Sequence, residues 1–431
     1  MAIQRGGQTP IAGAAVRMRG SEPVSKESAA DSTYAWWRLI AAVLLATIGG
    51  IGLWSIVVAL PAIQAEFGVA RAEASLPYTL TMLAFMVGGV AMGRLADRFG
   101  VVLPVVIGTL ALAIGYVATA FVADLWQFGI FYALFVGGLG SCAVFGPLVA
   151  DTSFWFTRRR GIAVALCASG NYFAGAVWPP ILQHFIAAHG WRATHVGIGL
   201  FCVVTMLPLA LALRRPPPVH SPSASRQATD GLAQLGLPPK ALQSLLMLAG
   251  VACCVAMAMP QVHIVAYCAD LGYGPARGAE MLSLMLGFGV LSRLISGAVT
   301  DQVGAPIMLL LGSGLQAVAL ALFLQFDSLG ALYILSAIFG LFQGGIVPSY
   351  AVMVRQFFPS SEAGLRVSLV LSATLAGMGL GGWLSGAIFD ATLSYRWAVV
   401  NGMGWNLLNL AIAAWIVIRL RARPAPTTVV S

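Results

Sequence analysis

The sequence predicts an all-α membrane protein, with twelve transmembrane helices in two pseudo-symmetric six-helix bundles. Three observations carry this: charge is scarce, apolar runs recur at bilayer length, and the second half of the chain repeats motifs of the first. Of 431 residues, 59% are apolar and 9% are Asp, Glu, Lys or Arg, against about 25% charged in an ordinary soluble domain. Mean hydropathy is +0.87. A soluble protein of this length could not cover its surface with so little charge, and the same composition excludes intrinsic disorder. Long apolar runs favour helices over the weaker alternating pattern of a barrel.

A helix crosses the bilayer in about 20 residues. Residues 1–33 are polar and are expected to form a disordered cytoplasmic tail. No cleavable signal is expected, because the first apolar run starts late and is long. Apolar segments follow at about 37–63, 73–95, 101–122, 126–150, 161–184 and 193–213, within an N-terminal bundle of 34–213. A linker at 214–240, rich in Pro, Ser and charge, precedes segments at about 241–268, 277–299, 304–325, 330–354, 365–389 and 396–419. These form a C-terminal bundle of 241–420, and 421–431 is a second cytoplasmic tail.

The basic residues set the orientation. With the N-terminus in the cytoplasm, nineteen of the 24 Lys and Arg fall on the cytoplasmic side, and four (Arg71, Arg192, Arg277, Arg396) fall in outer loops. This positive-inside bias also accounts for the net charge of +9 without a nucleic-acid partner. It implies a multi-pass protein of the cell membrane, the inner membrane if the source is bacterial, with both termini cytoplasmic.

Other residues exclude whole classes. The lysines are Lys26 and Lys240, neither in an apolar run, so a retinal Schiff-base pump is ruled out. No G-x-x-x-x-G-K-[ST] occurs, so there is no P-loop. Six cysteines form no C-x-x-C pair, so neither a metal site nor a disulfide framework is expected. No cofactor and no enzymatic activity are expected.

Gly93-Arg94-Leu95-Ala96-Asp97-Arg98-Phe99-Gly100 follows the second segment, and Gly297-x-x-x-Asp301-x-x-Gly304 follows the eighth, at an offset of 204 residues. Asp151-x-x-Phe154 and Arg355-x-x-Phe358 share that offset. Two halves related by an axis along the membrane normal place a site at their interface, near the midplane. Gly93 and Gly100 allow close helix approach and a tight turn; Asp97 and Arg98 can form an ion-pair latch or cap helix ends. The segment resembles the loop 2–3 signature of the major facilitator superfamily. That resemblance implies that Gly93, Asp97, Arg98, Gly100 and Asp301 gate conformations rather than bind substrate. The signature usually ends in two further basic residues, where this chain has Val101 and Val102, and the second copy has Gln302 in place of Arg98.

Two stretches resemble the monocarboxylate transporter family more narrowly. Asp31-Ser32-Thr33-Tyr34-Ala35-Trp36 is similar to its D-G-G-W-G-W motif, with Ser32 and Thr33 replacing glycines. Trp155-Phe156-Thr157-Arg158-Arg159-Arg160-Gly161-Ile162-Ala163 is similar to the start of its Y-F-x-K-R-R-x-L-A motif. The Arg158–Arg160 run also reads as a positive-inside anchor.

Arg293 is the most informative residue. It stands eight residues before Asp301, about 12 Å into the membrane at 1.5 Å per residue. An ionisable side chain there costs roughly 2.5–3.5 kcal/mol on insertion scales, and no Asp or Glu lies at similar depth in any span. Such a cation suits an anionic substrate, whose carboxylate a guanidinium binds bidentately. The alternative is an arginine that snorkels to the interface or bonds backbone carbonyls. The family resemblance implies a substrate-contacting arginine in span 8, usually with an aspartate one turn earlier; here that position is Gly289. The oxalate/formate exchangers pair a span 8 arginine with a span 11 lysine, which this chain lacks.

His263 and Tyr267 lie four apart on one face of span 7. His263 is able to bond a carboxylate or carry a coupling proton, or it is a structural histidine. Asn171, Tyr172, Gln343 and Tyr350 are further cavity candidates, each also readable as a helix–helix contact. The function expected is secondary transport of a small organic anion, a monocarboxylate such as lactate or pyruvate, by alternating access. Proton symport is left open. The partners expected are the carboxylate, the bilayer and, under symport, protons; a monomer is expected. Efflux of drugs or hydrophobic metabolites, and a membrane sensor without turnover, are the competing readings.

Overall fold

The computed structural model describes residues 31–215 and 235–422. Nearly all of the expected N-terminal tail, most of the linker and the last nine residues lie outside the described residues. Among those described, eleven helical stretches are long and apolar enough to cross a bilayer. One of them, Arg160–Leu211, has 52 residues, about 78 Å of helix at 1.5 Å per residue and more than twice the ~30 Å hydrocarbon core. It turns back at Gly190, whose φ of 79° and ψ of 161° are not helical, a conformation open to a residue without Cβ. It is therefore two spans, and the total is twelve, as the sequence predicts.

The spans are α1 Thr33–Phe67, α2 Arg71–Phe99, α3 Val102–Thr119, α4 Leu125–Trp155, α5 160–189 and α6 191–211 in the first half. The second half holds α7 Pro239–Asp270, α8 Pro275–Val303, α9 Ala305–Phe323, α10 Leu329–Phe357, α11 Ser360–Thr392 and α12 Tyr395–Ala422. Helices outrun the apolar segments because their last turns continue into the interface, where water satisfies the backbone. Alternating spans bring both described chain ends and the Arg-rich turns to one end of the molecule, here called the basic end; the opposite end is the far end.

The repeat is visible in geometry. Gly100 and Gly304 end α2 and α8 with φ of 83° and 86°. The α2–α4 crossing is so close that a methyl group on Gly88 would sit 1.7 Å from the Gly138 carbonyl oxygen. In the second half a methyl group on Gly340 of α10 would sit 2.0 Å from the Met285 oxygen of α8. Glycine at such crossings lets backbones touch. In each half the fourth span is interrupted near its crossing. Tyr132–Gly140 of α4 is π-helical and Ser141–Val144 is 3-10, and α10 breaks between Gln343 and Ile346.

At the basic end the two motifs that resemble the monocarboxylate transporters meet. Arg38 of α1 grips Asp151 of α4 bidentately, Nε to Oδ2 at 2.9 Å and Nη2 to Oδ1 at 2.8 Å, and its guanidinium lies 4.6 Å from the Trp155 ring centre. Tyr34 packs edge-on to Trp155, and Trp36 to Phe156. The Asp31 carboxylate accepts from Thr157 Oγ1 at 2.5 Å and from the Thr157 and Arg158 amides. The Thr157 hydroxyl bond, helped by those amides and opposed by partial burial, holds the Asp31 carboxyl below its usual range. A carboxyl with a lowered folded value contributes stability above its unfolded pKa, near 3.9, and loses it as pH falls through the folded value. Amide exchange at 31–36 is therefore expected to be slow at neutral pH and to quicken below about pH 4 relative to its intrinsic rate. In Asp31→Asn that pH dependence should vanish; an unchanged profile would contradict the contact.

Candidate substrate site and gates

Two seams join the halves. Along α5–α8, from the far end inward, Ser283 Oγ donates to the Ala176 carbonyl, Leu286 packs on Gly175, Tyr172 packs on Gly289, and Arg293 Nη1 donates to the Ala168 carbonyl at 2.9 Å. Beyond Arg293, methyl groups built on Gly297 and Gly161 would meet nothing within 4 Å. Along α2–α11, Gly386 touches Arg71 and Ala72, Gly382 touches Tyr78, and Thr79 donates to the Gly379 carbonyl at 2.7 Å; Gly93, nearer the basic end, is again bare. The described inter-half contacts thus concentrate toward the far end, and Gly93, Gly161 and Gly297, nearer the basic end, face open space.

Among the described residues, the Arg293 bond is the inter-half hydrogen bond nearest the basic end on this seam. The Arg293 guanidinium carbon lies 3.9 Å from the Tyr172 ring centre, and its Nε is buried with no hydrogen-bond partner. On the same stretch of α8, Ser292 Oγ is buried and unpartnered beneath Gly344. Gln343, next to that glycine, accepts from Gln261 Nε2 at 2.6 Å and leaves its own Nε2 unpartnered. Across the seam, Trp54 Nε1 donates to the Asn171 carbonyl oxygen at 3.0 Å and its side-chain oxygen at 3.2 Å, and Trp54 packs on Gly175. Arg293, Tyr172 and Asn171 thus line one seam, with Ser292, Gln343 and Gln261 behind it. A cavity of about 460 Å³ flanks the same seam at Ala176, Ser283 and Leu291 without reaching Arg293.

Other expected site residues stand elsewhere. Tyr350 is fully buried inside the second bundle, donating to Asn409 Oδ1 at 2.7 Å. His263 and Tyr267 share a face, as their spacing implies, but it faces Tyr395 of α12, with ring centres 5.4 Å apart in each case. His263 Nε2 is 2.7 Å from the Gly382 carbonyl, which can only accept, so Nε2 carries the proton. Nδ1 then accepts from the Tyr395 hydroxyl at 3.1 Å. Both ring nitrogens are engaged within the second half. Asp97, Arg98 and Asp301 are exposed and form no ion pair among the described residues; Arg98 lies over Phe99 at 5.2 Å.

The far-end seal centres on Arg71, which sequence reasoning placed only in an outer loop. Its guanidinium meets both Asp270 oxygens at 3.1 Å and the Tyr395 hydroxyl at 2.6 Å, and lies 4.7 Å from the Phe389 ring centre. Asp390 of α11 accepts from the Arg71 and Ala72 amides at 2.9 and 2.7 Å. It caps α2, whose own N-cap residue Ala70 has no side chain for that purpose. One arginine of the first half is thus tied to α7, α11 and α12 of the second. Leu60, Ala74 and Ala266 form an apolar plug beside it.

The profile of the Major Facilitator Superfamily matches residues 42–305 and 246–430. The chain belongs to this superfamily. Among its relatives are MFS-type transporter opdF of Penicillium oxalicum, 26% identical over 325 residues and 75% of each chain, and human monocarboxylate transporter 11, 26% identical over 83% of this chain and 79% of that one. Bovine monocarboxylate transporter 13 is 26% identical over 70% of each. A solved structure of a bacterial homologue of the human lysosomal transporter Spinster, in an inward-facing and unoccupied conformation, superposes with a TM-score of 0.71 at 15% identity, covering 92% of this chain and all of that one. As a superfamily member the chain is a membrane transporter, and its twelve-span fold is that of its structural neighbours.

Proposed function

We propose that the chain is a secondary transporter of small monocarboxylates such as lactate or pyruvate, and that Arg293 is the cation that binds the carboxylate. The observation that carries this reading is the buried, unpartnered Nε of Arg293 on the inter-half seam, with no carboxylate at its depth among the described residues. A guanidinium that spends one N–H on a carbonyl and rests on an aromatic face keeps donors for a planar anion. Tyr172 and Trp54 supply apolar surface for the rest of a small acid. Relatives named as monocarboxylate transporters support the substrate class.

Transport proceeds by alternating access. The basic end, taken as cytoplasmic from its arginines, is open; the Arg71 cluster holds the far end shut. Asp97, Arg98 and Asp301 are free here and engage when the basic end closes. His263 holds Tyr395 in place at the far-end seal rather than meeting substrate.

A thermal-shift panel tests the reading. Ligand that binds only the folded state stabilises it by about 2.7 kcal/mol at a hundredfold excess over Kd. Lactate or pyruvate should raise the midpoint of the wild type and not of Arg293→Ala. A shift by hydrophobic cations or neutral metabolites alone would favour an efflux carrier instead.

A further inference from the structure

The cavity of about 460 Å³ beside the α5–α8 seam contains none of the residues assigned to substrate or gates. Its α8 wall is Glu280, Leu284, Gly287 and Leu291, a single stripe at steps of four, three and four residues. The stripe covers 11 residues, about 16 Å at 1.5 Å per residue, which is the depth of one leaflet of a ~30 Å hydrocarbon core. Asp301, at the basic end of the same helix, lies 21 residues beyond Glu280, about 32 Å. Glu280 therefore marks the far edge of the hydrocarbon, and Leu291 its midplane. Leu282, Met285, Leu286 and Gly289 are buried, turned toward the rest of the protein, whereas Phe288 and Leu291 are exposed. The groove opens on the outer flank of the molecule, where the bilayer lies.

The opposite wall is Ala176 and Pro180 of α5, so the groove straddles the two halves. Pro180 has no N–H to return to the Ala176 carbonyl four residues back, and Ser283 Oγ supplies that bond across the seam. At the headgroup end stands an ion pair. Arg277 Nη1 donates to the two Glu280 oxygens at 3.0 and 3.3 Å, and the Tyr333 hydroxyl donates to Glu280 Oε2. Both charged side chains remain exposed.

We propose that this groove holds one phospholipid of the far leaflet whose headgroup carries a primary ammonium, as in phosphatidylethanolamine. One acyl chain lies along the stripe from Glu280 to Leu291. The ammonium donates to Glu280, and the phosphate accepts from Arg277, so a zwitterion meets an ion pair of opposite order. A primary ammonium brings three N–H donors. The trimethylated nitrogen of a choline headgroup brings none, and an anionic headgroup without an amine sets like charge against Glu280. Because each half contributes one wall, the site is complete only while α5 and α8 stand together at the far end. The lipid therefore favours that arrangement through its differential affinity, alongside the Arg71 cluster.

Native mass spectrometry of the purified chain tests the site, by titration with phosphatidylethanolamine, phosphatidylcholine or phosphatidylglycerol of identical acyl chains. The wild type is expected to retain one phosphatidylethanolamine about tenfold more tightly than either of the others, the range of a hydrogen bond to a charged group. Glu280→Gln should bring the ethanolamine and choline lipids together. Gly287→Leu should weaken all three. A methyl group at Gly287 would meet only Ala176, 3.8 Å away, so a leucine fits the fold and fills the groove instead. Equal retention of the ethanolamine and choline lipids by the wild type, tightest binding of phosphatidylglycerol, or a preference that survives Glu280→Gln would overturn the proposal. The wild-type comparison decides even if a variant fails to fold. In proteoliposomes, a cysteine introduced at Ala266 should react with a far-side maleimide about tenfold more slowly in phosphatidylethanolamine than in phosphatidylcholine, and Glu280→Gln should abolish the difference. Equal labelling rates in the two lipids would overturn the coupling to the far-end seal.

Discussion

Arg38→Ala is expected to lower the unfolding free energy by about 3–5 kcal/mol, a large share of any domain's margin. The Arg38 and Asp151 side chains are only 3% and 8% exposed, so removing either leaves the other charge buried and unpaired. The loss is compounded because Trp155 stacks on the same guanidinium and carries the aromatic contacts that pin Tyr34. Asp151→Ala should cost a similar amount, whereas Arg38→Met with Asp151→Leu should recover most of it, since an apolar pair of similar volume has no charge to strand. Denaturant unfolding in detergent, followed by tryptophan fluorescence, measures all three. Full additivity of the single losses in the double variant would contradict a pair.

Arg71→Ala is expected to free the far end. Truncating one partner of a hydrogen-bonded charge pair across an interface costs about 2–5 kcal/mol, and Asp270, about one-third exposed, puts this pair at the low end. About 2 kcal/mol is roughly a thirtyfold change in an equilibrium. A cysteine introduced at Ala266, buried in the plug, should react with a membrane-impermeant maleimide added from the far side far faster when Arg71 is replaced. Unchanged labelling would show that the plug alone holds the gate. Asp390→Asn keeps an acceptor for the α2 amides and should have the smaller effect.

The twelve spans were legible because bilayer thickness imposes a length on every apolar run. The turns at Gly100 and Gly304 were legible because their spacing recurs in both halves. The break in α4 was not. Pro147 opens the turn where the α-helix resumes, but the π-helical stretch before it has a tertiary cause: α2 presses its Gly88 onto Gly138, which only the fold reveals. Arg293 was found from its depth; it bonds a backbone carbonyl, that of Ala168, and keeps an unspent Nε. Spacing placed His263 and Tyr267 on one face correctly but could not say which neighbour that face meets. The Arg71 seal had an unused signal. Arg71 begins a helix, while Asp270 and Asp390 close helices, so each charge opposes its own helix dipole. Charges so placed need partners elsewhere, and these three supply one another.

In the proposed function Arg293 binds the transported anion. Uptake of labelled lactate by preloaded proteoliposomes tests it most directly, wild type beside Arg293→Ala. Losing a charged partner in a desolvated site by about 2.7 kcal/mol is a hundredfold in rate or affinity. Saturable uptake is expected in the wild type and a loss of that order in Arg293→Ala, with Arg293→Lys intermediate because it keeps the charge without the planar fork. Wild-type uptake by Arg293→Ala would contradict it.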